Sequence, residues 1–377
     1  MTLTMSLLAL SALPQAVGQA AGPPSLFDEA VVREVRHARG VVELGTSGKQ
    51  ARRVVKVALD PADARPQTLR VVSGAAELRW LGLSSPGFAD EEFKHVAGMK
   101  RLRVLLIPHC TRMSGEGLAV LGHLKELEEL DASHTSFGDT AAAALTGCPR
   151  LHTLNLWNTK TTDAALGHIA KLPALRKLSF KGAKRRIGSG ALLKLRAAPA
   201  LKEVNLIGTR IDIAGARAVA GIPRLEEVAL SNTQFTDAHG EAFVGCKQLK
   251  VFAAEGNPDL TDGTARTLSK LTTLEEVGLS GSKVGDDGLA LLGKLPRLRV
   301  LWVADTRVSG EGLKHLAKSA GLEGLHLQGL KIGDADLEAL RPLKRLKSIS
   351  LGRTNVTPKG IEALKKMLPQ LNDVDFR

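Results

Sequence analysis

Ten histidines, three cysteines and three tryptophans are the side chains of this 377-residue chain with most chemistry to offer. Nucleophilic catalysis needs a base within reach of a nucleophile and a third group to orient it. Metal binding needs His, Cys or carboxylates at short, repeated spacings. The chain has neither pattern. "GTSGKQ" at 45–50 lacks the spacing, and the hydroxyl after Lys49, that a phosphate-binding loop requires, and no HExxH, GxSxG or CxxC occurs. His109, His134 and His152 fall in successive strand-like stretches without a shared acidic partner, which reads as surface or structural histidine. No catalytic, cofactor or metal site is expected, and the chain reads as non-enzymatic.

Three cysteines cannot all pair within one chain. Cys148 in "TGCPRL" and Cys246 in "VGCKQL" each stand three residues before a leucine that opens a new unit, in equivalent positions four units apart. At sheet spacing that is roughly 19 Å, whereas a disulfide needs Cα atoms within about 7 Å. Buried thiols and no disulfide are expected.

The elements that position these residues come from a repeat. Units open at Val54, Leu78, Leu102, Leu127, Leu151, Leu175, Leu201, Leu225, Leu249, Leu274, Leu298, Leu322, Leu346 and Leu371, at an interval of 24 stretched to 25 or 26 in places. Each reads LxxLxL, then a small or polar residue at the ninth place, an apolar one at the eleventh and often Asp at the thirteenth. In 151–174 these are Leu151, Leu154, Leu156, Thr159, Thr161 and Asp163. Leu154 and Leu156 point to one side of a short strand, Thr153, Asn155 and Trp157 to the other. Asp163 is placed to cap a helix, with Leu166, Ile169 and Leu172 as its inner stripe and Pro173 as its end. One unit cannot bury its own apolar face. Stacked on a neighbour it can, each Leu or Ile gaining about 1.5–3 kcal/mol. The strands then pair in parallel, because each returns through a helix.

A dozen such units in register resemble the leucine-rich repeat family over about residues 54 to 377. The Cys or Thr at the ninth place (Cys110, Thr135, Thr159, Thr209, Thr233, Thr306, Thr354), followed by strings such as "TDAAL" and "GDDGL", is similar to the cysteine-containing and ribonuclease-inhibitor-like subclasses. It is also similar to secreted bacterial arrays built on "TDxGL". The resemblance implies an α/β leucine-rich repeat solenoid, a horseshoe with a concave parallel β-sheet and convex short helices. It also implies that the ninth residue hydrogen-bonds backbone between adjacent turns. Asn257 matches the commoner asparagine there and Leu330 breaks the pattern.

Residues 1–20 read as a signal peptide, with an apolar stretch from Leu7 to Leu13 and small residues near Ala20. Residues 21–53 read as a linker and an N-terminal cap of one helix and one strand. Residues 54–377 hold about 13 units, the last a half-unit at the C-terminus. No stretch approaches 18 consecutive apolar residues, so no transmembrane span is expected. The expected location is secreted, periplasmic or cell-surface, and cytoplasmic if the leader is no signal peptide.

Binding is expected from residues at the third, fifth and seventh places, which face out of the concave sheet. Trp80, Trp157 and Trp302 occupy the third, seventh and fifth respectively, and Trp is enriched among interface hot spots. Trp80 should neighbour Val104 and Leu106. Trp302 should sit beside Val300 with His326 across on the following strand. Trp157 falls between Ser133 and Lys181 in its row, near the acidic pair Glu129 and Asp131. Trp157 would lie roughly 14 Å from Trp80 and roughly 29 Å from Trp302, giving two separable contact areas on an extended partner.

The net charge of +13 invites a nucleic-acid reading, but the same face carries Glu129, Asp131, Glu203, Glu227, Glu255 and Glu276 against Lys177 and Lys181. The excess cations then sit on helices, turns and cap. One such cluster, Lys181 with Lys184, Arg185 and Arg186, is suited to an anionic group. No specific nucleic-acid partner is expected. The expected function is a scaffold that binds protein through the concave face. The alternatives are an intracellular adaptor or inhibitor of the ligase-adaptor kind, and a binder of an anionic cell-surface polymer through the basic convex side.

Overall fold

The computed structural model describes residues 26–46, 53–59, 66–84, 86–182 and 187–376. The leader at 1–20, Lys49 and the cations Lys184, Arg185 and Arg186 lie outside the described residues. The chain divides after Lys160 into two compact units.

Among the described residues of the first unit six strands lie side by side in chain order: β1 (Val41–Leu44), β2 (Val54–Leu59), β3 (Trp80–Leu83), β4 (Val104–Leu106), β5 (Glu129–Asp131) and β6 (Thr153–Asn155). From β2 to β6 all pairing is parallel. β1 runs antiparallel to β2, with a register shift between Glu43 and Leu44. The helix Leu26–His37 is tied to β2 by the buried Asp28, which accepts the Val54 N–H at 3.1 Å and pairs with Arg53 at 3.1 Å.

Among the described residues of the second unit there are nine strands, again in chain order and all parallel: β7 (Lys177–Ser179), β8 (Glu203–Asn205), β9 (Glu227–Ala229), β10 (Val251–Ala253), β11 (Glu276–Gly278), β12 (Val300–Trp302), β13 (Gly324–His326), β14 (Ser348–Ser350) and β15 (Asp373–Asp375). Each is the solenoid architecture of the α/β class that the repeat calls for.

The strands form where the alternation places them. Central residues such as Leu105, Leu154, Val204, Leu301 and Ile349 are no more than 2% exposed. The return segments are short: Asp163–Ile169 and Asp286–Leu292 are α-helices, Gly117–His123 and Asp334–Leu340 are 3-10 helices. A 3-10 turn rises more per residue, so a brief segment can still span the layer. The helix at 163 stops at Ile169, before Leu172. Leu172 is buried just beyond it, its N–H on the Ile169 carbonyl at 3.1 Å, so the expected stripe outruns the helix.

The aspartate at the thirteenth place is not the helix cap expected of it. The cap is its predecessor: Thr162 Oγ1 accepts the Ala164 N–H at 3.3 Å, and Thr261 Oγ1 the Gly263 N–H at 3.2 Å. The carboxylate reaches into the following turn instead. Asp163 accepts the Gly188 N–H at 2.7 Å, and Asp286 accepts the N–H and hydroxyl of Ser309 at 2.8 and 2.7 Å. Glycine makes the room, since a Cβ on Gly312 would overlap the Asp286 carboxylate and one on Gly117 that of Asp90. The "TDxGL" string is therefore a cap, a strap to the next turn and a seat for the strap from the previous one.

At the ninth place the inter-turn role holds for long or well-placed side chains. Asn257 Nδ2 donates to the carbonyls of Leu230 and Ala254, both at 2.9 Å, while its Oδ1 accepts the N–H groups of Thr233 and Phe235 at 3.0 and 2.9 Å. Cys110 Sγ reaches Leu83 O at 3.6 Å and Thr209 Oγ1 reaches Phe180 O at 3.1 Å. Thr135, Thr233, Thr306 and Thr354 instead donate to a carbonyl of their own turn. Leu330 fills the same place with buried apolar atoms.

Candidate binding surface

On the first unit's sheet face, Trp80 and Gly82 lie on the same side of β3. A Cβ on Gly82 would come within 2.5 Å of Trp80 Cη2, so the indole lies over the glycine. Lys56 Nζ sits 4.8 Å from the ring centroid, a cation–π contact. Val104 is in register with Trp80, and Leu106 with Gly82. The Trp80 patch is thus part cationic, where apolar neighbours alone were expected. Glu129 and Asp131 follow on β5. Asp131 is already engaged by the fold, accepting the Ser133 N–H at 2.8 Å and Asn155 Nδ2 at 3.1 Å.

Trp157 packs on a histidine. Its indole meets the His134 ring edge-on at 4.4 Å, and His134 stacks on His109 at 4.3 Å with planes 16° apart. Asn158 Nδ2 is 3.1 Å from His134 Nδ1. The three rings form a short column on the turns after β4, β5 and β6, ending in a tryptophan that stays 37% exposed. The column depends on the eighth place of each unit. There His109, His134 and Asn158 all adopt positive φ, 62°, 56° and 51°, which aims the side chain back along the row. The sequence carries a signal for this place: it reads Gly182, Gly208, Asn232, Gly256 and Gly281 in later units.

The second unit's face is built differently. Lys177 pairs with Glu203 at 2.9 Å, but Glu203 stands in register with Glu227, a second carboxylate. Glu276 lies two strands on, across Val251. Burial raises the carboxyl of Glu227, with Glu203 adding to it, and burial likewise raises Glu276. Glu255 accepts the Ser231 hydroxyl and folds over the bare surface of Gly278. Gly278 is in register with Trp302, which stacks on His326 with centroids 5.2 Å apart and planes 10° from parallel. His326 Nδ1 lies 3.0 Å from Ser350 Oγ, and burial holds its pKa below the usual histidine range. Val300 is in register with Gly324, and its side chain fills part of the space there: a Cβ on the glycine would lie 3.1 Å from Val300 Cγ1. Lys181 stands on the turn after β7, at the start of the undescribed stretch 183–186.

The second place of each unit, one residue before this face, carries a row of alternating charge that the sequence analysis passed over. Glu226 lies between Lys202 at 2.5 Å and Lys250 at 2.7 Å. Glu323 lies between Arg299 at 3.3 Å and Lys347 at 2.8 Å. The Lys347 and Arg299 hydrogen bonds pull the Glu323 carboxyl down to about 2. The signal was readable in the second-place column Lys250, Glu275, Arg299, Glu323, Lys347.

Elsewhere the reactive side chains are used up by structure. Cys110, Cys148 and Cys246 are free and buried. Cys148 Sγ donates to Leu121 O at 3.2 Å and Cys246 Sγ to Ala220 O at 3.3 Å, and burial pushes both thiols up to about 11. A depression of about 670 Å³ in the second unit is lined by Leu192, Ile211, Ile213, Gln234 and His239. His239 Nδ1 accepts the Thr236 N–H at 3.2 Å, closing the first turn of the helix Asp237–Gly240, so it acts as a cap residue. Among the described residues no group of three or more His, Cys, Asp or Glu is gathered as a metal site, and no helix is long and apolar enough to cross a membrane.

A leucine-rich repeat family model matches residues 270–293. No curated protein matches the chain in sequence. Among solved structures, an internalin (inlF) from Listeria monocytogenes is similar at a TM-score of 0.54 and 17% identity, covering 94% of this chain and 96% of that one. A leucine-rich repeat protein from Leptospira interrogans is similar at 0.52 and 15% identity, covering 92% and 98%. These likenesses establish the leucine-rich repeat fold.

Proposed function

We propose that this chain is a non-enzymatic scaffold that binds a protein partner through the concave face of its repeat sheet, outside the cytoplasm. One observation carries the reading. The inward places of the strands are closed with Leu, Val, Ile and Phe, while the outward places hold all three tryptophans, with Trp157 still 37% exposed. A core has no use for them there, and Trp is a residue that interfaces favour. The fold is one that typically serves protein–protein interaction, and a repeat surface offers an extended area for it. Export is supported by the leader-like residues 1–20, and a mature N-terminus near Ala21 is the outcome expected of N-terminal sequencing. The binding test uses the Trp157→Ala and Trp302→Ala variants against a partner captured by the full chain. Each should weaken binding by about 2 kcal/mol or more at a true hot spot. Normal binding by both would refute the role of this face.

A further inference from the structure

Two neighbouring rows on the same strands obey opposite electrostatic rules. At the second place the charges alternate, Lys202–Glu226–Lys250, with the Glu226 carboxylate held between two ammonium groups. One residue further on, at the third place, the sequence of side chains is Glu203, Glu227, Val251, Glu276. Across the third, fifth and seventh places from β8 to β12 there are four carboxylates, Glu203, Glu227, Glu255 and Glu276, and no Lys or Arg. Like charges side by side in a sheet destabilise it, and opposite ones stabilise. A face shaped for stability alone would have repeated the solution of the adjacent row. Lys177 on β7 already meets the first of these carboxylates, Glu203, at 2.9 Å, which leaves Glu227 and Glu276 as the places where a cation from outside would fit. The net charge of +13 sharpens this, since the chain as a whole repels a polycation while this stretch of the face carries carboxylates without Lys or Arg.

Resting on the binding reading above, we infer that the second unit's sheet face, from β8 to β13, receives an extended basic segment of a partner protein. Its lysines or arginines sit on Glu227 and Glu276, beyond the Lys177–Glu203 pair, and its leading side chain lies on the Trp302–His326 stack. The distance fits. Four strand spacings from β8 to β12 are about 19 Å, the span of about six extended residues. The aromatic end suits a cation as well, because the face of an indole attracts positive charge and Glu255 folds toward it over Gly278.

The test uses the whole chain and two fluorescein-labelled nonapeptides, one with lysine at alternate positions and one with glutamate there, followed by anisotropy at low and moderate salt. The lysine peptide should bind and the glutamate peptide should not. The Glu227→Gln/Glu276→Gln pair should weaken lysine-peptide binding by about tenfold or more, as should raising the salt. Trp302→Ala should weaken it as well. Glu323→Gln, which removes a carboxylate from the neighbouring row, should leave it within about twofold. Equal binding of the two peptides, or equal effects of the double variant and Glu323→Gln, would overturn the inference. If the glutamate peptide binds and Trp302→Ala weakens it, the basic partner is refuted while the face remains a binding face. If neither peptide binds, the inference falls and the binding reading is judged by its own tryptophan variants.

Discussion

The sheet faces of the two units use the same places and the same residue types to different ends. In the first, Asp131 is spent on the Ser133 turn and on Asn155, and Trp157 closes a column of histidines. In the second, Glu227 crowds Glu203, and Trp302 covers a half-buried His326. An outward place is thus not in itself a binding place. What decides is whether the fold already provides the side chain's partner. By that measure the first unit offers a hydrophobic tip and the second an unneutralised charge.

The contrast lies in the faces and not in the cores, and this is the first way to break it. Leu154→Ala in the first unit and Leu301→Ala in the second remove side chains no more than 1% exposed, each shared by neighbouring layers. Both should cost about 2–5 kcal/mol in urea unfolding. A negligible loss at either would mean that its layer is not close-packed.

The straps come next. Gly312→Ala should cost about 1–3 kcal/mol, since its new Cβ meets the Asp286 carboxylate. In an Asp286→Ala background the same substitution should cost clearly less, and the double-mutant cycle reads the coupling. Asp90 and Gly117 should repeat the result in the first unit, because there the Asp90 carboxylate also accepts the Ser114 N–H, at 2.7 Å. Additive effects would show that strap and seat are independent.

Much of this was legible in the sequence, and the failures share a cause. The strands, their parallel order and the buried thiols follow from the 24-residue interval, which needs only alternation and burial. Residues whose role depends on the neighbouring turn were misread. Asp163 has the right type for a cap, yet its own helix is capped by Thr162 and its carboxylate serves Gly188. The ring column ending at Trp157 went unread, since alternation gives the side of a strand but not the direction in which a left-handed residue such as His134 throws its ring. The alternating second place went unread because it belongs to no single unit. Such a row is visible only when the units are set beside one another.

Titration sharpens the comparison with smaller effects. Glu323 is depressed to about 2, so its pairing with Lys347 and Arg299 stabilises the fold above the ordinary value of 4.5 and is lost as pH falls from there toward 2. Glu227 and Glu276 are raised, so the folded state holds their protons longer, and stability falls as pH rises through and above the ordinary carboxylate range. Glu203 and Glu226 face Glu227 with Lys177, while Arg299 and Glu275 face Glu276. Melting curves of Glu323→Gln should lose part of the acid limb. Those of Glu227→Gln/Glu276→Gln should gain at neutral pH relative to the parent, and the reverse pattern would refute the assignment. His326 should titrate below the usual histidine range by NMR and move up in Trp302→Ala, which uncovers it, while Trp157→Ala leaves it unchanged.

The most direct measurement of the central claim is site-specific photo-crosslinking on the full chain. A benzoylphenylalanine placed at Ser280, Gln328 or Thr153, all at outward sheet places, is compared with one at Lys194, Lys270 or Glu362 on the helical side, in the presence of the natural milieu. The expected result is one and the same partner band from the sheet positions, absent from the helical ones and suppressed by Trp302→Ala. Crosslinks to that partner arising from the helical side alone would contradict a scaffold that works through its sheet.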